Sequence, residues 1–197
     1  MKTETVPMLS AKTAWLQRFR QFLLLGSVLL LTCCQPPPEL PQGLSVKVER
    51  VVSGQTLEIV DPSSPVPILQ QVRLIGIEAP DLNQQPWGEE AKNRLEQLAN
   101  GQQVLLEADV TPKDRFNRRL AYVWREDILL NEQLVKEGYV LASLPTSYQR
   151  DRSGSNAKYS QRLAYAQEWA RLMGRGLWNP ARPLRQTPAE FRLSNRK

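Results

Sequence analysis

The chain predicts an α+β domain that is mainly β: a five-stranded sheet closed into a small barrel, with about three helices packed outside. Three observations carry that expectation. Apolar and β-branched residues alternate over residues 44–77, the period switches to helical spacing at 87–98, and strand-like runs at 104–108 and 120–124 precede two more helical stretches. Strands, an inserted helix, strands again and then helices is an order in which one sheet can be covered on its outer side. With 197 residues and 41% hydrophobic content, the chain has room for one such core plus appendages.

Lys2, Lys12, Arg18 and Arg20 precede the apolar run 22–31, and Thr32-Cys33-Cys34-Gln35 and three prolines follow it. A basic segment, an apolar segment and a small-residue cleavage region define a secretory signal over residues 1–33, its apolar run too short to span a membrane comfortably as a mature helix. Leu31-Thr32-Cys33-Cys34 resembles a bacterial lipobox, with Cys34 as the lipidated residue and Cys33 at the preceding small position. An uncleaved N-terminal anchor is the alternative. Either device holds the domain at the membrane, outside the cytoplasm. The Pro-rich residues 34–43 form a semi-stiff spacer.

The domain is expected over residues 44–179. Val46, Val48, Val51 and Val52 make a first strand, Ser53-Gly54 a turn supported by Thr56, and Leu57 and Ile59 the return strand. A Pro- and Ser-rich loop at 61–67 leads into a strand over 68–77, so the first three strands form an antiparallel meander. Pro80 cannot donate to a ladder and ends it. Ala91, Leu95 and Leu98 at helical spacing, with Glu89 and Glu90 in the first turn and Gly101 beyond the end, make a helix of 87–98. The basic segment 109–119 is too long and polar for a tight hairpin. Further helices are expected at 129–137 and 159–172, the second burying Leu163, Ala166 and Ala170 together with Trp169. Trp87, Trp169 and Trp178 read as packing residues. Residues 180–197 form a basic Pro/Arg-rich tail, expected to be poorly ordered.

Composition removes whole classes of chemistry. The chain has no histidine, which excludes Ser-His and Cys-His nucleophilic systems and histidine general bases. Its two cysteines are adjacent, so neither a loop-closing disulfide nor a zinc cluster can be built within the chain. The formal charge of +6 resides in the ends, and residues 34–179 carry 17 basic against 18 acidic residues. Any anion-binding surface on the domain must therefore come from local clustering.

One stretch concentrates chemistry. Gln71-Val72-Arg73-Leu74-Ile75-Gly76-Ile77-Glu78-Ala79-Pro80-Asp81 places a cation inside a strand and two carboxylates at its exit. Strand ends present reactive groups from a rigid support. A structural ion pair between Arg73 and Glu78 or Asp81 is the plainer alternative. Arg118, among Lys113, Arg115 and Arg119, could equally be a solvated loop cation.

Four segments, taken in order and spacing, are those of one family: Val52-Ser53-Gly54-Gln55-Thr56-Leu57, the stretch just quoted, Asp114-Arg115-Phe116-Asn117-Arg118-Arg119-Leu120-Ala121-Tyr122-Val123, and Asn131-Glu132-Gln133-Leu134-Val135-Lys136-Glu137-Gly138. The chain resembles the staphylococcal nuclease-like, or thermonuclease, family from about residue 44 to residue 179. The resemblance implies an OB-fold barrel with three helices and a calcium-dependent phosphodiesterase acting on DNA and RNA. Arg73 and Arg118 match the family's catalytic arginines, a role suited to the planar, permanently charged guanidinium. Asp81 falls on the residue that positions or deprotonates the attacking water. Glu78 falls on an aspartate ligand of calcium, Ala79 on a residue giving a backbone carbonyl, and Gln55 on a second aspartate ligand. Gln55 thus lacks a formal charge the family pattern carries. Arg115, Phe116 and Tyr148 are candidates for substrate contact, the aromatics by stacking on bases.

Two function classes follow. One is a lipid-anchored, monomeric nuclease outside the cytoplasm, resting on Arg73, Asp81 and Arg118. The other is a non-catalytic OB-fold lipoprotein binding a nucleic acid, polyanion or protein partner, resting on Gln55 and the near-neutral domain.

Overall fold

The computed structural model describes residues 41–144 and 156–195. Cys33, Cys34 and Tyr148 lie outside them, and so do the secretory segment and the lipobox-like run. Among the described residues no helix is long and apolar enough to cross a membrane.

β1 (Leu44–Ser53), β2 (Thr56–Val60) and β3 (Leu69–Leu74) form the expected meander. β4 (Ile77–Glu78) follows, then α1 (Trp87–Ala99), β5 (Gln103–Glu107), β6 (Arg119–Arg125), β7 (Ile128–Leu129), α2 (Leu130–Lys136), β8 (Leu141–Ala142), α3 (Ser160–Leu172) and α4 (Pro188–Ser194). β1 pairs with both β2 and β5, β5 pairs with β6, and β3 pairs in parallel with β6. That last pairing closes β1, β2, β3, β6 and β5 into a five-stranded barrel. The OB-type α+β fold expected from the sequence is therefore present, with four helices outside rather than about three.

The alternation read from the sequence becomes the core. Val48, Leu57, Ile59, Val72 and Leu74 are fully buried inside the barrel, and Ala91 and Leu95 of α1 and Leu130 and Leu134 of α2 cover it. Each such large side chain contributes about 1.5–3 kcal/mol. A pool of that size can carry a charged site at the barrel's end.

The strand expected over 68–77 is broken. Gly76 adopts φ of 72°, which turns the chain from β3 into β4. Asn131 fixes the bend from behind: its Nδ2 donates to the Ile75 carbonyl at 2.7 Å and its Oδ1 accepts the Val123 N–H at 2.9 Å. The Ile75 N–H also donates to the Ala121 carbonyl at 2.9 Å. A fully buried amide, Asn131, thus locks the site-bearing strand end to β6.

Two sequence readings are corrected. Trp169 is 47% exposed, because α3 buries the stripe Leu163, Ala166 and Ala170, and residue 169 falls off that face. The tail is not uniformly poorly ordered. Thr187 and Glu190 form a capping box, Pro188 stands in the first turn, and α4 results. The Gln84 side chain donates to the Gln186 carbonyl at 2.7 Å, and Arg182 pairs with Glu90 at 2.8 Å, fastening residues 180–195 to the segment around α1.

Candidate active site

Arg73 sits at the last full pairing of β3, opposite Thr56 of β2 and Leu120 of β6. Its guanidinium donates to the carbonyls of Leu74 and, at 2.6 Å, Ile77. The anticipated structural ion pair is not formed: among the described residues neither Glu78 nor Asp81 bridges to it. These hydrogen-bond partners are neutral, so the group is oriented without a direct ion pair. Burial pushes the group down to about 10, with the positive charge of Arg118 adding to the effect. At neutral pH it remains a cation.

Arg118 arrives on the turn between β5 and β6. The Asp114 Oδ1 accepts the N–H groups of Phe116 at 2.9 Å and Arg118 at 3.0 Å, and Asn117 takes φ of 62°, a conformation Asn tolerates. The Asp114 Oδ2 meets both Arg118 Nε and Nη2 at 2.7 Å each, two charge-assisted contacts on one oxygen. Burial opposes ionisation of the Asp114 carboxyl, but the bonds from the Arg118 side chain and the two N–H groups outweigh it and hold it below the ordinary carboxylate range. Phe116, at the tip, is 64% exposed, with Arg115 and Arg118 4.8 and 5.5 Å from its ring centre. So exposed a ring covers no core.

Asp81 lies in the loop between β4 and α1. Its Oδ1 accepts the Asn83 N–H at 2.9 Å and its carbonyl the Gln84 N–H at 2.8 Å. Gly88 packs so closely on this loop that a Cβ there would stand 2.0 Å from the Asp81 carbonyl oxygen. Across the cavity the Gln55 Oε1 accepts the Ala79 N–H at 2.6 Å. Glu78 pairs with Arg192 of α4.

These elements enclose a cavity of about 610 Å³ whose walls include Gln55, Arg73, Ala79, Asp81, Arg118 and Arg192. Arg115 and Phe116 also line it. Glu78 joins it through Arg192, and Tyr148 and Cys34 are outside the described residues. Arg73 and Arg118 border a second cavity of about 370 Å³ with Asp114, but Asp81 faces the first. Sequence reasoning missed Asp114, Asn131 and Arg192. Asp114 has a local signal, a carboxylate four residues before Arg118 in a turn; Arg192, 114 residues from Glu78, has none.

The chemistry available is that of an anion site: several guanidinium groups facing a space with a single lining carboxylate, Asp81. Fold and cavity define the class as an OB-fold barrel with an arginine-lined cavity at one end. The family model described as staphylococcal nuclease homologue matches residues 71–180. The thermonuclease of Staphylococcus hyicus is 36% identical over 138 residues, covering 68% of this chain and 75% of that protein. The thermonuclease of Staphylococcus intermedius is 34% identical over 142 residues, covering 70% and 77%. Endonuclease YhcR of Bacillus subtilis is 30% identical over 196 residues, covering 91% of this chain and 15% of that longer protein. The chain belongs to the staphylococcal nuclease-like family, whose members are hydrolases acting on nucleic acids.

Proposed function

We propose that this cavity hydrolyses phosphodiester bonds of DNA or RNA, with Arg73 and Arg118 binding the phosphate and Asp81 handling the water. The single observation that carries the reading is the convergence of those three side chains on one cavity. A water oxygen attacks phosphorus, its proton passes to Asp81, and the bond to the leaving ester oxygen breaks, that oxygen taking a proton from solvent. Charge accumulates on the non-bridging oxygens as this happens. Two prepositioned guanidinium groups stabilise that charge more than they stabilise the ground state. Arg115 and Phe116, at the rim, would hold the chain of the substrate by charge and by base stacking.

Calcium is the cofactor the family resemblance implies, and Glu78, Gln55 and the Ala79 carbonyl are the donors it would use. They do not fit it as they stand. Gln55 is neutral and its amide oxygen already accepts a hydrogen bond, Glu78 already holds a guanidinium, and no group of three or more Asp, Glu, His or Cys among the described residues could hold a metal ion. The N-terminal run supports a location outside the cytoplasm with membrane tethering through Cys34.

The test is cleavage of single-stranded DNA and of RNA by the full chain, kept in nonionic detergent, with calcium titrated against chelator and Arg118→Ala alongside. Cleavage by the wild type, reduced a hundredfold or more by the substitution, is expected. No cleavage by the folded wild type in either condition would leave a binding module in place of an enzyme.

A further inference from the structure

We propose that Arg192, carried by α4, is a third phosphate contact beside Arg73 and Arg118, with Glu78 acting to position it in place of serving as a metal ligand. The inference rests on the nuclease reading and extends it to a residue outside the segments that carry the family resemblance.

The segment is placed, not draped. The Leu184 N–H donates to the Leu177 carbonyl at 2.8 Å, the Gln186 carbonyl accepts from Gln84, and the capping box starts α4 at a fixed point. Arg192, in the last turn of that short helix, then lines the same cavity as Arg73 and Arg118. Four guanidinium groups line it from three independent supports: a strand (Arg73), a turn (Arg115 and Arg118) and the helix α4 (Arg192). At Arg73 burial and then the charge of Arg118 disfavour the cation, Glu78 favours it, Arg192 again disfavours it, and Asp114 favours it.

Stability does not explain that arrangement. The Arg192 and Glu78 side chains are 43% and 24% exposed, and a pair so open to water adds little. Bringing a further cation to a cavity already lined by Arg73, Arg115 and Arg118 adds like charge there. An incoming phosphodiester removes the conflict. The bond to Glu78 uses Nη2, and a guanidinium has five N–H donors, so Arg192 can hold Glu78 and donate to a phosphate oxygen together.

The experiment reads binding apart from turnover. A fluorescent single-stranded phosphorothioate oligonucleotide is titrated, in chelator and at several salt concentrations, into the full chain, Arg192→Ala and Arg192→Lys, with cleavage of ordinary DNA measured on the same samples. Arg192→Ala should bind about tenfold more weakly and lower the slope of log affinity against log salt by about 0.7, the value for one phosphate contact on a single strand. Arg192→Lys should keep the slope while losing part of the affinity, since it keeps the charge without the fork. Unfolding curves identify any variant that fails to fold, and Arg192→Lys then carries the test alone. Unchanged affinity and slope in a folded Arg192→Ala that still cleaves DNA would overturn the proposal alone. Tighter binding by Arg192→Ala would also overturn it, making α4 a plug. A wild type that neither binds nor cleaves would bring down the nuclease reading and this proposal together.

Discussion

Arg73 and Arg118 face one cavity from two regions that hold a cation by opposite means. The strand-borne region grips Arg73 with the neutral carbonyls of Leu74 and Ile77, inside a barrel end locked by Asn131. The turn-borne region grips Arg118 with a full carboxylate, Asp114, which also accepts the backbone N–H groups of its own turn. In the first, orientation comes from the fold without a direct ion pair; in the second, one side chain makes both the turn and the ion pair. The strand's arginine should therefore matter to chemistry and little to stability, and the turn's to both.

The largest expected effect tests the strand side. Arg73→Met should lower kcat by about 10²–10³, the range for losing one preorganised donor of transition-state charge. It should leave the unfolding free energy within about 1 kcal/mol of wild type. Two lost hydrogen bonds cost about 1 kcal/mol each, while removing a partly desolvated, repelled cation returns a similar amount. Activity assays with urea unfolding on the same preparation check both halves. A drop of several kcal/mol in stability would mean that Arg73 holds the barrel end together and that the contrast drawn above is wrong.

On the turn side, Asp114→Asn should lower both quantities, kcat about tenfold through misplacement of Arg118 and stability by about 1–2 kcal/mol through weakened bonds to a charged acceptor. The sign with pH follows from the depressed carboxyl. Its contribution is fully present above the ordinary carboxylate pKa and is lost as pH falls through its lower value in the folded protein. Wild type and Asp114→Asn should thus differ most near neutrality and converge in acid. Urea midpoints at pH 6 and pH 3 measure this, and a gap that widens in acid would contradict it.

How much of this was legible in the sequence differs along the same divide. The barrel was readable because Val46, Val48, Leu57, Ile59, Val72 and Leu74 write their burial as local alternation. Arg73, Asp81 and Arg118 were singled out through the family resemblance, since from the residues alone Arg73 fits a structural ion pair and Arg118 a solvated loop cation; the cavity gathers all three. The break at Gly76 was not, since a single glycine in a strand fits a bulge as well as a bend. Nor was α4. Pro183 and the arginines dominate the composition of the tail, and the capping box of Thr187 and Glu190 spans only four residues of it. Arg192 meeting Glu78 is a tertiary event with no periodic trace. Gln55 was read as a weakened metal ligand. Its amide oxygen accepts the Ala79 N–H, a role that no spacing announces.

The smallest expected effects lie at the tip of the turn. Phe116→Ala should raise KM five- to tenfold with kcat nearly unchanged, since an exposed ring can lose a stacked base without moving Arg118. The opposite split, kcat falling at constant KM, would mean that the ring orients Arg118, whose guanidinium carbon is 5.5 Å from its centre. Asn117→Ala then asks whether the turn's backbone matters at all. At φ of 62° an alanine pays for its Cβ what Asn recovers by local hydrogen bonding, about 1 kcal/mol, whereas glycine adopts the angle freely. Asn117→Gly should therefore match wild type in kcat and lie within a few tenths of a kcal/mol in stability. If Asn117→Gly instead loses activity while keeping its stability, a stiff turn is needed to aim Arg118, and the carboxylate of Asp114 alone is not enough.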